Sequence, residues 1–282
     1  MDFHVKEIGS WPEFTDFVRS LSGEWAYRGQ SQDWPLRTSL ERALNNWEID
    51  LAEAPAVEGQ IIRDFRRRYR GDSESRVTSD TLFCLAFMQH HGAPTRLLDW
   101  TYSPFVAAKF AVETGARDAI VWCMNTAWCH QAACDVGGAD AIKARNIDSS
   151  RDDSSFVPLY MPTEGTRRRF VQAENPLHLN ERLIIQQGIF MCPGDIAAPF
   201  VENLLGMSGW DSPEHLLRIR FDMDRTEVAR FVVTLRRMNV DSAVLFPGLD
   251  GFARSLVEKV PLYVDLARRK IGSSDFRTGS TI

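Results

Sequence analysis

Apolar residues at Trp11, Phe14, Phe17, Val18 and Leu21 recur at helical spacing. Ser10, ahead of Trp11-Pro12, reads as an N-cap followed by a first-turn proline, and Gly23 as the stop. Trp25 to Gln30 reads as a short strand ending in a glycine turn, with Arg28 at its end facing a cleft. Ser39 is expected to cap a helix from Leu40 to about Trp47, and Glu58 to Tyr69 forms the next. Ser79 to Gln89 is a strongly apolar helix; Gly92 ends it and Pro94 prevents its continuation. Thr95 to Trp100 runs extended, and Ser103-Pro104 restarts a helix whose face is Phe105, Val106, Ala108, Phe110, Ala111 and Val112. Ala119 to Met124 is a buried strand. Asn125 to about Glu174 is the least regular third, read as an elaborated loop region with a short helix. Arg182 to Met191 is strand-like, Leu216 to Phe221 alternates as a strand, and Asp224 caps an amphipathic helix to Met238. Ala243 to Phe246 reads as a strand, Phe252 onward as a helix, and residues 273–282 as a polar tail. With no internal repeat and no linker, residues 1–272 are expected to form one α+β domain.

The composition fits an ordinary globular chain: 282 residues, 44% hydrophobic and 25% charged. A net charge of −5 lowers the expectation of a nucleic-acid binder, although a local basic patch can hide within it. Two such patches are Arg63, Arg66, Arg67, Arg68 and Arg70, and Arg167-Arg168-Arg169; each reads as a solvated face or as a phosphate-facing surface. The five cysteines form no Cys-x-x-Cys, so neither a disulfide framework nor a metal site is expected, and reduced thiols fit a cytoplasmic location. The opening segment holds Asp2, Lys6 and Glu7 without an apolar run, and no stretch approaches membrane-spanning length. No signal peptide or membrane segment is expected.

Candidate chemistry concentrates in His90-His91-Gly92-Ala93-Pro94-Thr95-Arg96-Leu97-Leu98-Asp99-Trp100-Thr101, a polar, aromatic-bearing segment held between two helices. Arg96 and Asp99, three apart on an extended segment, face opposite sides. Asp99 either supplies negative charge to a ligand or caps the helix at Ser103. Trp100 either stacks on an aromatic ring or belongs to the core, and Thr101 either binds a ribose hydroxyl or ends a strand. His90 and His91 point different ways; one is a candidate acid–base group, against a structural role. Gln89, Gln186 and Gln187 are amides in apolar surroundings, and a buried amide needs partners.

Several segments resemble the FRG domain family, named for an aromatic-Arg-Gly motif. They are Tyr27-Arg28-Gly29-Gln30 with Trp34-Pro35-Leu36, the segment from Gln89 to Thr101 with Ser103-Pro104, Arg182-Leu183-Ile184 with Gln186 to Phe190, and Leu245 to Gly251. Tyrosine replaces the phenylalanine. The motif order is similar to that of the ADP-ribosyltransferase superfamily. That resemblance implies a central antiparallel or mixed sheet split around a cleft, with flanking helices, and NAD as substrate. It implies that Arg28 holds NAD phosphates, where the other reading is a structural ion pair. Gly29, Gln30, Thr95, Arg96, Trp100, Thr101 and Gln187 are expected to complete the pocket. The catalytic glutamate of the pattern falls on Arg182, with Glu181 one residue earlier; such a shift on a strand reverses the face. Glu181, Asp99 and His90 are therefore the catalytic candidates, with Glu41 and Asp250 behind them. The activity implied is ADP-ribosyl transfer from NAD, in a bacterial toxin or phage-defence effector, to a DNA or RNA base or a protein side chain, with an antitoxin or hydrolase as restraining partner. A non-catalytic nucleotide-binding module and an NAD glycohydrolase are the alternatives.

Overall fold

The computed structural model describes residues 3–113, 115, 118–147, 153–162, 167–176, 180–260 and 263; the expected tail at 273–282 lies outside them. The chain is α+β. Its strands are β1 (Val5–Ile8), β2 (Trp25–Gln30), β3 (Leu98–Thr101), β4 (Ile120–Asn125), β5 (Val171–Glu174), β6 (Gly188–Pro193) and β7 (Leu216–Phe221). They form one seven-stranded sheet in the order β1-β7-β4-β2-β3-β6-β5. The β1–β7 pair is parallel and all the others are antiparallel, so the sheet is mixed.

Helices cover both faces, and strand alternation sorts the core between them. On β4, Ile120, Trp122 and Met124 enter one cluster. Val121 and Cys123 enter the other, with Trp25, Tyr27, Leu217, Ile219 and the alanines of the helix Pro104–Val112. That helix lies so close to β2 that a Cβ on Gly29 would meet the Ala107 carbonyl oxygen at 1.9 Å. Gly29 is thus within the strand rather than in a turn, and its missing side chain admits a helix.

Five other expectations are corrected. The helix at Ser39–Asn46 is capped by Thr38, whose hydroxyl accepts from Glu41 N at 3.1 Å; Ser39 instead bonds Thr95. The apolar helix begins at Thr81, because Asp80 caps it by accepting from Phe83 N at 2.9 Å. The "irregular third" contains the helices Thr126–Gly137, Ala139–Ile147 and Asp153–Tyr160 before β5. Asn125 caps the first, and apart from Trp128 its inward face is built of small Ala, Cys and Gly residues that carry a weak hydrophobic signal. Glu181–Ile185 is a helical turn capped by Asn180, ended by Gln187 at φ 48°, and only then does β6 begin. Ser242–Leu245 is a short helix capped by Asp241. In the last two places a side-chain acceptor captures orphan N–H groups and turns β-favouring apolar residues into helix.

All five cysteines are free and buried, and burial pushes the Cys129 thiol up to about 12. Among the described residues no helix is long and apolar enough to cross a membrane.

Candidate functional site

The sheet is weakest at its centre. β2 pairs with β4 through six residues, Trp25↔Asn125 to Gln30↔Ile120, but with β3 only at Tyr27↔Thr101. Beyond that bridge the strands part, and Arg28 spans the gap by donating from Nη1 to the Asp99 carbonyl oxygen. A cleft of about 690 Å³ opens here, within the size range of small-molecule sites. Tyr27 to Gln30 and Asp99 to Thr101 line it from the sheet, Trp34 and Pro35 from the following loop, and Arg182 and Gln186 from the far side. The helix Ser39–Asn46 buries Leu40, Glu41 and Leu44 and turns Arg42, Asn45 and Asn46 toward the cleft.

The charge in the cleft is one-sided. Arg28, Arg37, Arg42 and Arg182 line it, against a single carboxylate, Asp99. Burial pushes the Arg28 guanidinium down to about 10; Asp99 opposes this and Arg42 adds to it. Burial also lowers the Arg182 pKa, with Asp99 opposing and Arg254 reinforcing. A desolvated cation short of counter-charge attracts an anion. Among the described residues four N–H donors are buried without a partner: Arg28 Nε and Trp100 Nε1 in residues that line the cleft, and Arg218 Nε and Arg236 Nε away from it. Such groups carry a cost unless something accepts from them.

Six of the sequence-derived site residues meet here: Arg28, Gly29, Gln30, Asp99, Trp100 and Thr101. Asp99 is held by Gln89, whose Nε2 donates to its Oδ1 at 2.8 Å. Trp100 joins the core through its ring. Gln30 accepts from Trp122 Nε1 at 2.7 Å. Thr101 donates to the Gln186 carbonyl oxygen at 2.6 Å and accepts from Ser103 N at 2.9 Å, so its hydroxyl already has partners in the fold.

The others lie elsewhere. Arg96 is 2% exposed and forms a buried ion pair with Glu58, with Nε 2.9 Å from both carboxylate oxygens and Nη1 2.7 Å from the Tyr160 carbonyl. Burial opposes its charge, but Glu58 more than compensates and raises its pKa. Arg96 is therefore a structural cation rather than a ligand group. Thr95, also buried, is engaged by Ser39 and Gln89. Gln187 is exposed and its carbonyl accepts from Tyr102 N; its neighbour Gln186 faces the cleft and also bonds the Leu245 carbonyl at 2.9 Å. Glu41 is buried beneath the helix it belongs to and accepts from Phe200 N at 3.2 Å. Glu181, His90 and Asp250 line a different cavity of about 330 Å³. In the basic clusters, Arg66 bonds Val77 and Thr81, Arg70 pairs with Glu74, and Arg169 pairs with Glu202.

Sequence reasoning missed Arg42 and Arg182. Nothing in a one-dimensional pattern distinguishes Arg42 from other exposed helix arginines. Arg182 did carry a signal, since it opens the Arg182-Leu183-Ile184 segment of the resemblance read from the sequence, and it lines the cleft.

No curated protein and no solved structure matches this chain. A family model does: residues 23–119, from just before β2 to the residue preceding β4, match the FRG domain. This stretch carries Arg28, Arg37, Arg42 and Asp99, and the match supports the FRG family for it.

Proposed function

We propose that the cleft binds NAD and that the chain transfers ADP-ribose from it. The observation that carries this reading is the excess of cations in the cleft, where Arg28, Arg37, Arg42 and Arg182 stand against the one carboxylate Asp99 among the described lining residues. Arginine forks suit a diphosphate, and the exposed Trp34 at the cleft offers a ring for a base. Loss of nicotinamide passes through an oxocarbenium-like ribose. Asp99, oriented by Gln89, is the carboxylate in the cleft available to face that positive charge.

A second reading, a nucleotide-binding module without catalysis, is favoured by the position of Glu181 outside this cleft. Calorimetric titration with NAD, paired with chromatographic assay of nicotinamide, separates the two. Wild-type protein is expected to bind NAD and release nicotinamide, and Arg28→Ala to weaken binding at least tenfold. Binding without release supports the module; release without transfer of label supports a glycohydrolase. Absence of NAD binding sinks the proposal. The toxin or defence role predicts growth arrest on expression that Arg28→Ala relieves.

A further inference from the structure

The second cavity is built by three segments far apart in the sequence. His90 ends the helix Thr81–His90, Glu181 and Arg182 open the turn Glu181–Ile185, and Phe246, Asp250 and Arg254 come from the C-terminal part. It adjoins the first through Arg182, which lines both. A second tie is covalent: Gln89 holds Asp99 of the cleft, and its neighbour His90 lines the second cavity. The Arg182 and Arg254 guanidiniums lie 4.6 and 5.1 Å from the centroid of the Phe246 ring, a cation–π arrangement that fixes both at one wall. Burial, His91 and Arg182 lower the pKa of His90, which favours its neutral form.

We infer that this cavity is the acceptor site of the proposed transferase, and that it takes one nucleobase of a single strand. The inference rests on the NAD reading of the cleft. Two carboxylates and an imidazole face groups bearing N–H, and two arginines face carbonyl or phosphate oxygens; a base on its phosphodiester backbone presents both. At about 330 Å³ the space sits at the small end of ligand sites, enough for an extruded base and not for a duplex. In the reaction, the C1′–N bond of NAD breaks and its electron pair leaves with neutral nicotinamide. A nitrogen of the base donates its lone pair to C1′, forming the new bond, and the proton shed by that nitrogen passes to the imidazole of His90.

The test uses the full chain, labelled NAD, and oligonucleotides of mixed sequence as single-stranded DNA, single-stranded RNA and duplex DNA, beside a cell lysate stripped of nucleic acid. Expected is label on a single strand, with the DNA and RNA arms identifying which, and at least tenfold less on duplex. Arg254→Ala and His90→Gln are expected to lower transfer at least tenfold while NAD affinity in the cleft stays within twofold. Label only on protein, or transfer unchanged in both variants, overturns the inference and leaves the NAD reading standing. If the wild type does not bind NAD, that reading fails first. Oligonucleotide anisotropy then judges the cavity alone: a fivefold weaker single-strand affinity in Arg254→Ala supports a base site, and equal affinity overturns it.

Discussion

Arg28 and Arg96 show how one residue type serves opposite ends. Arg96 meets Glu58 and a carbonyl, and its guanidinium is fully engaged. Arg28 gives one bond to the Asp99 carbonyl and keeps Nε without a partner. The first is therefore placed for stability, and the second lines the cleft proposed to bind NAD. Breaking a buried pair by removing one partner costs about 3–5 kcal/mol, because the remaining charge stays buried. Arg96→Met is expected to lower stability by that amount in urea denaturation. Replacing both members, Arg96→Met with Glu58→Leu, is expected to recover most of the loss. A single variant as stable as the wild type would contradict the assignment.

Among the elements, the decisive one is the short turn Glu181–Ile185, which sets Arg182 between the two cavities. Its β-branched residues Ile184 and Ile185 have strand preferences, yet Asn180 accepts from Leu183 N at 2.8 Å and starts a helix. Removing a cap of this kind costs about 1 kcal/mol. Asn180→Ala is thus expected to lower the melting temperature by a few degrees and to weaken NAD binding more than an equally destabilising substitution elsewhere. Loss of stability with NAD affinity intact would show that the cap does not position Arg182. Stronger local signals survived intact: Ser10 and Asp224 cap the helices expected of them, and Ser103 with Pro104 opens the helix that packs on β2.

Across the molecule, the cleft depends on the helix Ser39–Asn46 staying docked, and Glu41 is its anchor to the segment at Phe200. Burial raises the Glu41 pKa, against hydrogen bonds from Phe200 N and Thr38 and the pull of Arg37 and Arg42. A folded-state pKa above the unfolded value means that the folded protein holds this proton more tightly. The contribution of Glu41 to stability is therefore greatest below its unfolded pKa and is lost as pH rises through the folded one. Glu41→Gln does not titrate, so its melting temperature relative to wild type is expected to rise between pH 4 and pH 7. A difference that stays flat across that range would refute the account. At the other edge of the helix Pro104–Val112, the buried Lys109 binds Ser242 at 2.6 Å and Glu258 at 3.3 Å, tying the C-terminal helices to the same framework.

Period-two alternation in β7, the unbroken apolar run of β4, helical spacing from Trp11, and capping residues act within a few neighbours. The chain's order therefore foretold those elements and the aromatic-Arg-Gly strand. The partners of Arg96 and Arg28, the separation of Glu181 from Asp99, and the recruitment of Arg42 and Arg182 depend on residues tens of positions apart. Glu58 is 38 residues from Arg96, and Asp99 is 71 from Arg28. Which cation is neutralised and which is left facing a cleft is settled only when packing brings such distant groups together in low dielectric. That is why the cleft-lining arginines became distinguishable from the structural ones in three dimensions alone.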